Sequence, residues 1–236
     1  MKLIKIRGGS QEDLDNKGYN INIGISLGNK WFTAESIVEL IEWTLPRTRE
    51  FVGVCPADEI HAINLQVRNE ITSTRALKIV KRRGAELLAE VQQLVETRLS
   101  AEDRAKIKYT TWADVVDSAY IQKREYLYSL YRDSADFKAA IHELVKAFVS
   151  QEQREFSENE IDQLGTYLIE ELPEILCRVP IGGVIYDAYV YPFDSRVTEF
   201  AEKVQKGEIF PEIKERLLGS ALPKVFLEVN DGESGR

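Results

Sequence analysis

The sequence predicts a single α/β domain with a mainly parallel sheet. Short runs of β-branched residues, either continuous or at period two, alternate with longer segments whose apolar residues recur at helical spacing. Strands that are separated by helices usually pair in parallel, because each helix carries the chain back across the sheet. The 236 residues contain no internal repeat and no low-complexity linker, so we expect one catalytic domain over 1–236.

Each predicted element rests on one of these two periods. Strands are predicted at about 2–7, 20–27, 50–55, 107–112, 183–191 and 224–230. Helices are predicted at about 35–44, 58–98, 114–131, 134–150, 157–177, 194–206 and 209–218. The last strand is expected at an edge of the sheet. The polar end, about 230–236, is expected to be disordered.

The composition is that of an ordinary cytoplasmic globular protein. Hydrophobic residues make up 44% of the chain and charged residues 30%. No apolar stretch reaches the roughly 18 residues that a membrane span requires, and Met1–Arg7 is too short and too alternating for a signal peptide. Cys55 and Cys177 are expected to be buried thiols. No Cys/His cluster has metal-ligand spacing, so we expect no metal site.

A serine between two glycines is the first candidate for catalysis. Ser26 lies in the run Gly24–Gly28, where a predicted strand ends in a glycine turn. Such a serine exposes its hydroxyl beside backbone N–H groups, which suits a nucleophile whose product carries negative charge. In open α/β sheets ligands bind beyond the carboxyl ends of strands. The alternative is that Ser26 only ends a strand.

The same run also matches the nucleophile elbow of serine hydrolases. That chemistry needs a histidine base, and the sequence offers only His61 and His142. Neither lies near the carboxyl terminus, where the α/β-hydrolase fold places its base. There is also no room before Ser26 for the earlier strands of that fold. A serine esterase therefore stays open only as an alternative.

A second run brings a phenol and a carboxylate together. Tyr167 and Glu171 are four residues apart in a predicted helix and share one face. The carboxylate supplies charge and the tyrosine supplies orientation, so the two suit an α-ammonium group. We call them the amine clamp. Taken alone, a pair at this spacing is more often a surface pair.

Together the two runs resemble the two signatures of the tRNA-dependent cyclodipeptide synthases. That family pairs a strand-end G-[LVI]-S with Y-[LVI]-x-x-E-[LVI]-P, which Gly24–Ser26 and Tyr167–Pro173 match at every fixed position. The resemblance extends over essentially the whole chain. It implies a Rossmann-type domain similar to the catalytic domain of class Ic aminoacyl-tRNA synthetases, without ATP chemistry. The absence of a Walker loop and of a G-x-G-x-x-G agrees with an enzyme without a cofactor.

The resemblance also implies a role for each matching residue. Ser26 accepts the aminoacyl group of a first charged tRNA, and the amine clamp holds its α-amino group. A second aminoacyl-tRNA then gives a dipeptidyl-enzyme, whose cyclisation, assigned to Tyr191, releases the cyclic dipeptide. An aminoacyl ester is already activated, so the serine needs positioning more than a strong base.

Several positions depart from the family pattern. Asn20 stands where the first motif usually has a histidine, and Asn22 where an aliphatic residue is common. We expect Gly24, Asn22 and Asn29 to bind substrate, and a polar Asn22 favours a polar first amino acid. The family divides into two subgroups, one with an asparagine after the nucleophile and one with a Tyr-Pro pair. This sequence has both Asn29 and Tyr191–Pro192, and we predict that it belongs to the Tyr-Pro subgroup.

A basic stretch interrupts an otherwise acidic chain of net charge −8. Residues 65–85 hold six basic residues and one acidic residue, a local charge of +5. Family members hold tRNA with an equivalent basic helix, so the resemblance implies phosphate contacts here. A solvated helix face is the alternative. The residues expected to bind tRNA are Arg75, Lys78, Lys81, Arg82 and Arg83, with Arg68 predicted on the same side of one helix.

The expected partners are two aminoacyl-tRNAs, which serve as substrates, and we expect no DNA and no membrane partner. The enzyme is expected to be a monomer. A rival from another class is a non-catalytic RNA-binding Rossmann module. Such a module keeps the basic helix but does not depend on Ser26 or the amine clamp. The sequence alone does not identify the two amino acids that are joined.

Overall fold

The computed structural model describes residues 1–150, 152–193 and 195–230. The strands are β1 Lys2–Arg7, β2 Tyr19–Ile25, β3 Thr48–Pro56, β4 Ile107–Tyr109, β5 Pro180–Ile181, β6 Val184–Ile185, β7 Ala188–Pro192 and β8 Val225–Asn230. The α-helices are α1 Gln11–Asn16, α2 Ala34–Thr44, α3 Asp58–Asn69, α4 Ser73–Arg98, α5 Ala101–Lys106, α6 Ser118–Asp133, α7 Ala135–Val149, α8 Glu158–Leu176, α9 Arg196–Lys206 and α10 Pro211–Ile213. The end expected to be disordered lies outside the described residues from 231 onward, while Asn230 still belongs to β8.

Six strands form one sheet in the order β1–β8–β7–β2–β3–β4. The five strands from β8 to β4 pair in parallel, and only β1 runs antiparallel to its neighbour β8. The prediction of an α/β fold with a mainly parallel sheet is therefore confirmed.

The expectation that the last strand lies at an edge is wrong. β8 lies inside the sheet, between β1 and β7, because its continuous apolar run is buried on both faces. The edge is β1, where Lys2 and Lys5 are exposed. Lysines along an edge strand discourage pairing with a second chain.

The order of the strands reverses at β2. From β2 the chain builds outward through β3 to β4, and it later returns on the other side of β2 as β7. In open α/β sheets such a switch point opens a crevice at the carboxyl ends of the two strands. Here those ends are Ile25 of β2 and Pro192 of β7.

Helices cover both faces of the sheet. Ile21, Ile23 and Ile25 of β2 share a hydrophobic cluster with α2 and α4. Tyr189 of β7 belongs to the cluster on the opposite face, with α6, α7, α8 and α9. Because side chains alternate along a strand, the residues of β2 between the isoleucines face α8.

Three predicted elements are divided in the structure. The helix expected over 58–98 breaks into α3 and α4, because Glu70 takes a left-handed conformation with φ 52° and Thr72 caps the next helix. The strand expected over 183–191 is divided into β6 and β7. β6 forms a hairpin with β5, and Gly182 and Gly183 have positive φ in the turn of this hairpin. The helix expected over 209–218 is the short α10 and a π-turn over Lys214–Leu218. Among the described residues, no helix is both long enough and apolar enough to cross a membrane.

Candidate active site

Ser26 and Tyr191 meet at the switch point of the sheet. Ser26 directly follows β2, and Tyr191 is the second-to-last residue of the strand β7. Both side chains line one cavity, and the Ser26 hydroxyl acts on the pKa of the Tyr191 phenol. The Asn29 amide lies 3.5 Å from the Tyr191 hydroxyl, and the Asn29 N–H donates to the Ser26 carbonyl at 3.1 Å. The turn after β2 therefore holds both hydroxyl groups in place.

Burial governs the protonation of Tyr191. It raises the pKa of the phenol, while the hydrogen bonds with Asn29 and Ser26 act in the opposite direction. The net shift is upward, so Tyr191 is a neutral hydroxyl near neutral pH. It can donate a proton to an oxygen that develops negative charge at Ser26.

Helix α8 presents the amine clamp to this point. Ser157 and Glu160 form a capping box at its first turn. The buried apolar residues of α8 recur at helical spacing and include Ile161, Leu164 and Leu168, which fixes the orientation of the helix against the sheet.

The two clamp side chains line the same cavity, and each affects the pKa of the other. Burial, followed by the negative charge of Glu174, raises the pKa of Glu171 to about 8, although the hydrogen bond from Tyr167 opposes this shift. The pKa of Tyr167 also lies well above its usual value because of burial and the Glu171 charge. Glu171 is therefore a carboxyl group that exchanges a proton near neutral pH, which suits a general acid or base.

A cavity of about 140 Å³ connects Ser26 with the amine clamp. One end is polar, where Ser26, Tyr167, Glu171 and Tyr191 converge. The rest of the wall is largely apolar and comes from α7, α8 and α9. Its apolar residues are Leu144, Val145, Phe148, Leu164, Leu168, Ile175 and Val197.

Gly24 and Asn22 do not line this cavity in the part of the chain that the structure describes. Gly24 lies beneath Tyr189, whose hydroxyl occupies the space that a Cβ at position 24 would need. Asn22 is 2% exposed and donates from Nδ2 to Glu174 Oε1 at 3.3 Å. Asn29 contacts Tyr191, as described above. The substrate-binding roles expected for these three residues stay predictions.

Asn20, at the position of the family's usual histidine, lies at the opposite end of β2 from Ser26. Its Oδ1 accepts from the N–H groups of Glu50 and Phe51, each at 3.1 Å, and its amide lies 3.4 Å from the Ile185 carbonyl. A strand rises about 3.3 Å per residue, so roughly 20 Å separates Asn20 from Ser26. Asn20 therefore joins β2, β3 and β6 and has no direct part in the site.

Neither histidine forms a triad with Ser26. His61 lies beside the serine turn, since its ring would contact a Cβ on Gly28 at 2.7 Å. Its Nδ1, however, pairs with the Asn64 amide at 3.4 Å. Burial lowers the pKa of His61 to about 4. His142 contacts Tyr131 and Asp162 on the outer side of α7 and α8.

The basic stretch divides between two helices. Arg68 ends α3 and forms a two-point contact with Glu152, so the expectation that it shares one helix face with the others is wrong. The remaining cations, Arg75, Lys78, Lys81, Arg82 and Arg83, are exposed on α4. Two of these cations have acidic partners: Lys81 lies 2.7 Å from Glu59, and Arg82 lies 3.6 Å from Glu86.

Sequence reasoning missed three residues around the site: Tyr189, Glu174 and Lys224. Tyr189 stacks on Tyr191 with ring centroids 6.3 Å apart. The sequence signal that could have identified Glu174 is a charged residue on the apolar face of α8. Nothing in the local sequence marks Lys224, which reaches the site only through the position of β8 in the sheet.

The chain is similar to known proteins in sequence pattern and in fold. A sequence model of the cyclodipeptide synthase family matches residues 9–213. A search among curated proteins finds no match. A cyclodipeptide synthase from Bacillus thermoamylovorans has a TM-score of 0.70 at 18% identity, with 95% of this chain and 96% of that chain covered.

Two further solved structures extend the comparison. One is a Mycobacterium tuberculosis protein whose structure relates cyclodipeptide synthetases to type I tRNA synthetases. Its TM-score is 0.65 at 18% identity, with 84% of each chain covered. The other is a cyclodipeptide synthase from Candidatus Glomeribacter gigasporarum bound to Phe-tRNAPhe. Its TM-score is 0.53 at 18% identity, with 84% of this chain and 86% of that chain covered.

Proposed function

The chain belongs to the cyclodipeptide synthase family, a family of aminoacyl-tRNA-dependent transferases, and we propose that it joins two aminoacyl groups into a cyclic dipeptide through esters on Ser26. The observation that carries this proposal is the convergence of Ser26, Tyr191 and the amine clamp on one cavity. A nucleophile, a neutral hydroxyl donor and a group that binds an amine are the three functions that the reaction needs.

The first step transfers an aminoacyl group to the serine. The Ser26 Oγ attacks the ester carbonyl of a charged tRNA, and the bond between that carbonyl carbon and the ribose oxygen breaks. The serine proton leaves with the tRNA as its new ribose hydroxyl. Because an aminoacyl ester is already activated, this step needs positioning of Ser26 more than a strong base.

The second step forms the peptide bond. Glu171 removes a proton from the α-ammonium group of the bound aminoacyl ester. The freed amine then attacks the ester carbonyl of a second aminoacyl-tRNA, and the bond between that carbonyl carbon and the ribose oxygen breaks. The second proton of the amine leaves with the tRNA as its ribose hydroxyl, which gives a dipeptidyl ester on Ser26. The new terminal amine attacks this ester, and the Ser26 oxygen leaves with a proton supplied by Tyr191, which takes one from the amine.

The cavity wall supports one apolar amino acid among the two. Most of the side chains beyond the amine clamp are aliphatic, and Phe148 adds an aromatic ring. Burying an apolar side chain against them releases roughly 25 cal/mol per Å² of covered surface. Asn22, which favours a polar amino acid on sequence grounds, is buried against Glu174 and does not belong to this wall.

The exposed cations of α4 are the proposed contacts for the tRNA backbone. Arg75 and Lys78 stand in the first two turns of the helix and are solvent-exposed. An otherwise acidic protein with one exposed basic face binds a polyanion at a defined place. We place the chain in the Tyr-Pro subgroup, on Tyr191–Pro192 at the end of β7.

Product analysis tests the proposal directly. Expression in a bacterium, followed by mass spectrometry of the medium, is expected to show 2,5-diketopiperazines that disappear with Ser26→Ala. Purified enzyme with charged tRNA should carry an aminoacyl adduct on Ser26. A folded enzyme that forms neither adduct nor product with all charged tRNAs contradicts the proposal. Ester hydrolysis without tRNA would favour an esterase, and tRNA binding without any product would favour an RNA-binding module.

A further inference from the structure

A buried ion pair lies directly behind the amine clamp. Lys224 is fully buried and Glu174 is 2% exposed. The Lys224 ammonium contacts the Glu174 carboxylate and also donates to the Glu174 backbone carbonyl at 2.7 Å. Lys224 comes from the residue before β8, 50 positions along the chain from Glu174. The pair therefore exists only in the folded protein.

Stability alone is a poor reason for this pair. Removing two charges from water costs several kcal/mol each, and replacing such a pair by apolar residues is often neutral or stabilising. The surroundings would accept apolar residues, because Leu172, Ile175 and Leu176 on the same helix are buried in the hydrophobic cluster. We therefore looked for a functional reason for the buried Glu174–Lys224 ion pair.

Glu174 is one helical turn from Glu171. Residues three apart on a helix lie on neighbouring positions of one face. The Glu174 carboxylate is held from two sides, by Lys224 and by the Asn22 amide at 3.3 Å. The Lys224 ammonium lies 5.8 Å from the Tyr189 ring, which itself lines the cavity. The negative end of a fixed ion pair thus lies one helical turn from the clamp carboxyl group.

We propose that Glu174 is a positioning residue for the reaction: its anchored carboxylate makes Glu171 the proton acceptor for the aminoacyl α-ammonium group. This inference rests on the proposed function and deepens it. The N–H bond of the ammonium group breaks and an O–H bond forms on Glu171. As the amide bond forms, the ribose oxygen of the leaving tRNA takes up the second nitrogen proton, and Glu171 releases the ammonium proton to solvent and returns to its starting state.

The other groups around Glu171 do not supply this charge. From α8 it faces Tyr167 and Glu174, and from β7 it faces Tyr189 and Tyr191. The pKa values of the three tyrosines are all raised by burial, so these phenols are neutral near pH 7. From α3, the Arg68 charge acts on Tyr167. Glu174 is the charged neighbour that raises the pKa of Glu171.

The test is the pH dependence of peptide-bond formation in Glu174→Gln. The amide keeps the size of the side chain and removes its charge. The acidic limb of the rate profile is expected to move toward lower pH by about one unit, because Glu171 then ionises more easily. The plateau rate should fall, since Glu171 becomes a weaker base. A shift in the same direction, but a smaller one, is expected in the double variant Glu174→Gln/Lys224→Met, which leaves no unpaired ammonium group.

Two further variants complete the design. Glu170→Gln is the matched control on the same helix: Glu170 accepts from Tyr128 at 2.9 Å, away from the cavity, and its loss should leave the limb in place. Glu174→Asp keeps the charge and should keep the limb, so it tests the inference even if the glutamine variants do not fold. Thermal unfolding of each variant reports its folding.

The results separate this inference from the proposed function. An unchanged limb in folded Glu174→Gln, or an equal shift in Glu174→Asp, overturns the positioning role. A changed product with an unchanged limb also overturns it and makes Glu174 a specificity residue. Failure of the unaltered enzyme to form any ester on Ser26 or any cyclic dipeptide counts instead against the proposed function.

Discussion

The side chains of Ser26 and Tyr191 come together at one cavity, at the carboxyl ends of β2 and β7. This contact joins two strands that are distant in sequence and adjacent in the sheet. It gives the serine a neutral hydroxyl partner where hydrolases place an imidazole. The proposed reaction therefore depends on an ester that is already activated and on a proton donor that need not ionise.

Tyr191→Phe should separate ester formation from cyclisation. The phenyl ring keeps its stacking on Tyr189, whereas the proton donor is lost. We expect the aminoacyl ester on Ser26 to form and the cyclic product to fall about 100-fold, within the usual range for general acid–base catalysis. Intact-protein mass spectrometry should show the dipeptidyl ester accumulating.

Tyr186→Phe is the matched control for that variant. The Tyr186 hydroxyl is buried and has no hydrogen-bond partner within the described residues, so its removal should leave product formation unchanged. Equal losses in the two variants would contradict a specific role for the Tyr191 hydroxyl.

The rate of dipeptide formation should rise with pH through the pKa of Glu171, which is about 8. Only the ionised carboxylate accepts the ammonium proton, so the enzyme is slow below this pKa and fast above it. Glu171→Gln should remove the limb and lower the rate at least 100-fold. Steady-state rates between pH 6 and pH 9 provide the measurement. If the rate of Glu171→Gln still rises with pH over this range, the pH dependence belongs to another titrating group.

The same carboxyl group predicts a pH-dependent stability. Folding raises its pKa from 4.5 to about 8, so the folded protein holds a proton that the unfolded chain releases between these values. The free energy of unfolding of the wild type, relative to Glu171→Gln, should therefore fall as pH rises from 4.5 to about 8. Urea unfolding of both proteins across this range is the measurement. A constant difference would show that Glu171 titrates normally.

Charge reversal on α4 should weaken tRNA binding without unfolding the protein. Arg75→Glu and Lys78→Glu alter exposed positions, so their melting temperatures should stay near that of the wild type. Each lost phosphate contact should reduce the slope of log affinity against log salt by about one. Lys5→Glu on the edge strand β1, also exposed, is the control. Equal effects at Lys5 and at α4 would indicate only an overall charge effect.

Gly24→Ala tests the packing under the site. A Cβ at this position overlaps the Tyr189 hydroxyl, so Tyr189 must move, and we expect a loss of about 1–3 kcal/mol in unfolding free energy. Because Tyr189 stacks on Tyr191, activity should fall as well. The double variant Gly24→Ala/Tyr189→Leu relieves the overlap. If it is no more stable than Gly24→Ala, steric overlap is not the cause.

The amino-acid sequence was enough to predict the fold class and to select the runs that meet at the candidate site. Alternating strand and helix periods are local properties, and the motifs around Ser26 and Glu171 occupy short runs, so both are readable without coordinates. The sequence patterns did not predict the helix break at Glu70 or the β5–β6 hairpin. In each case a left-handed residue or a two-glycine turn interrupts a periodic pattern that otherwise continues.

Only the tertiary structure decided what surrounds those residues. The place of β8 inside the sheet depends on long-range pairing, and it carries Lys224 to Glu174, a contact that no local pattern contains. Likewise Tyr189 fills the space above Gly24, and Asn22 turns toward Glu174. The sequence predicts the proposed nucleophile and the proposed clamp because their spacing is local. The charge behind the clamp arises from residues far apart in the chain, so only folding brings it there.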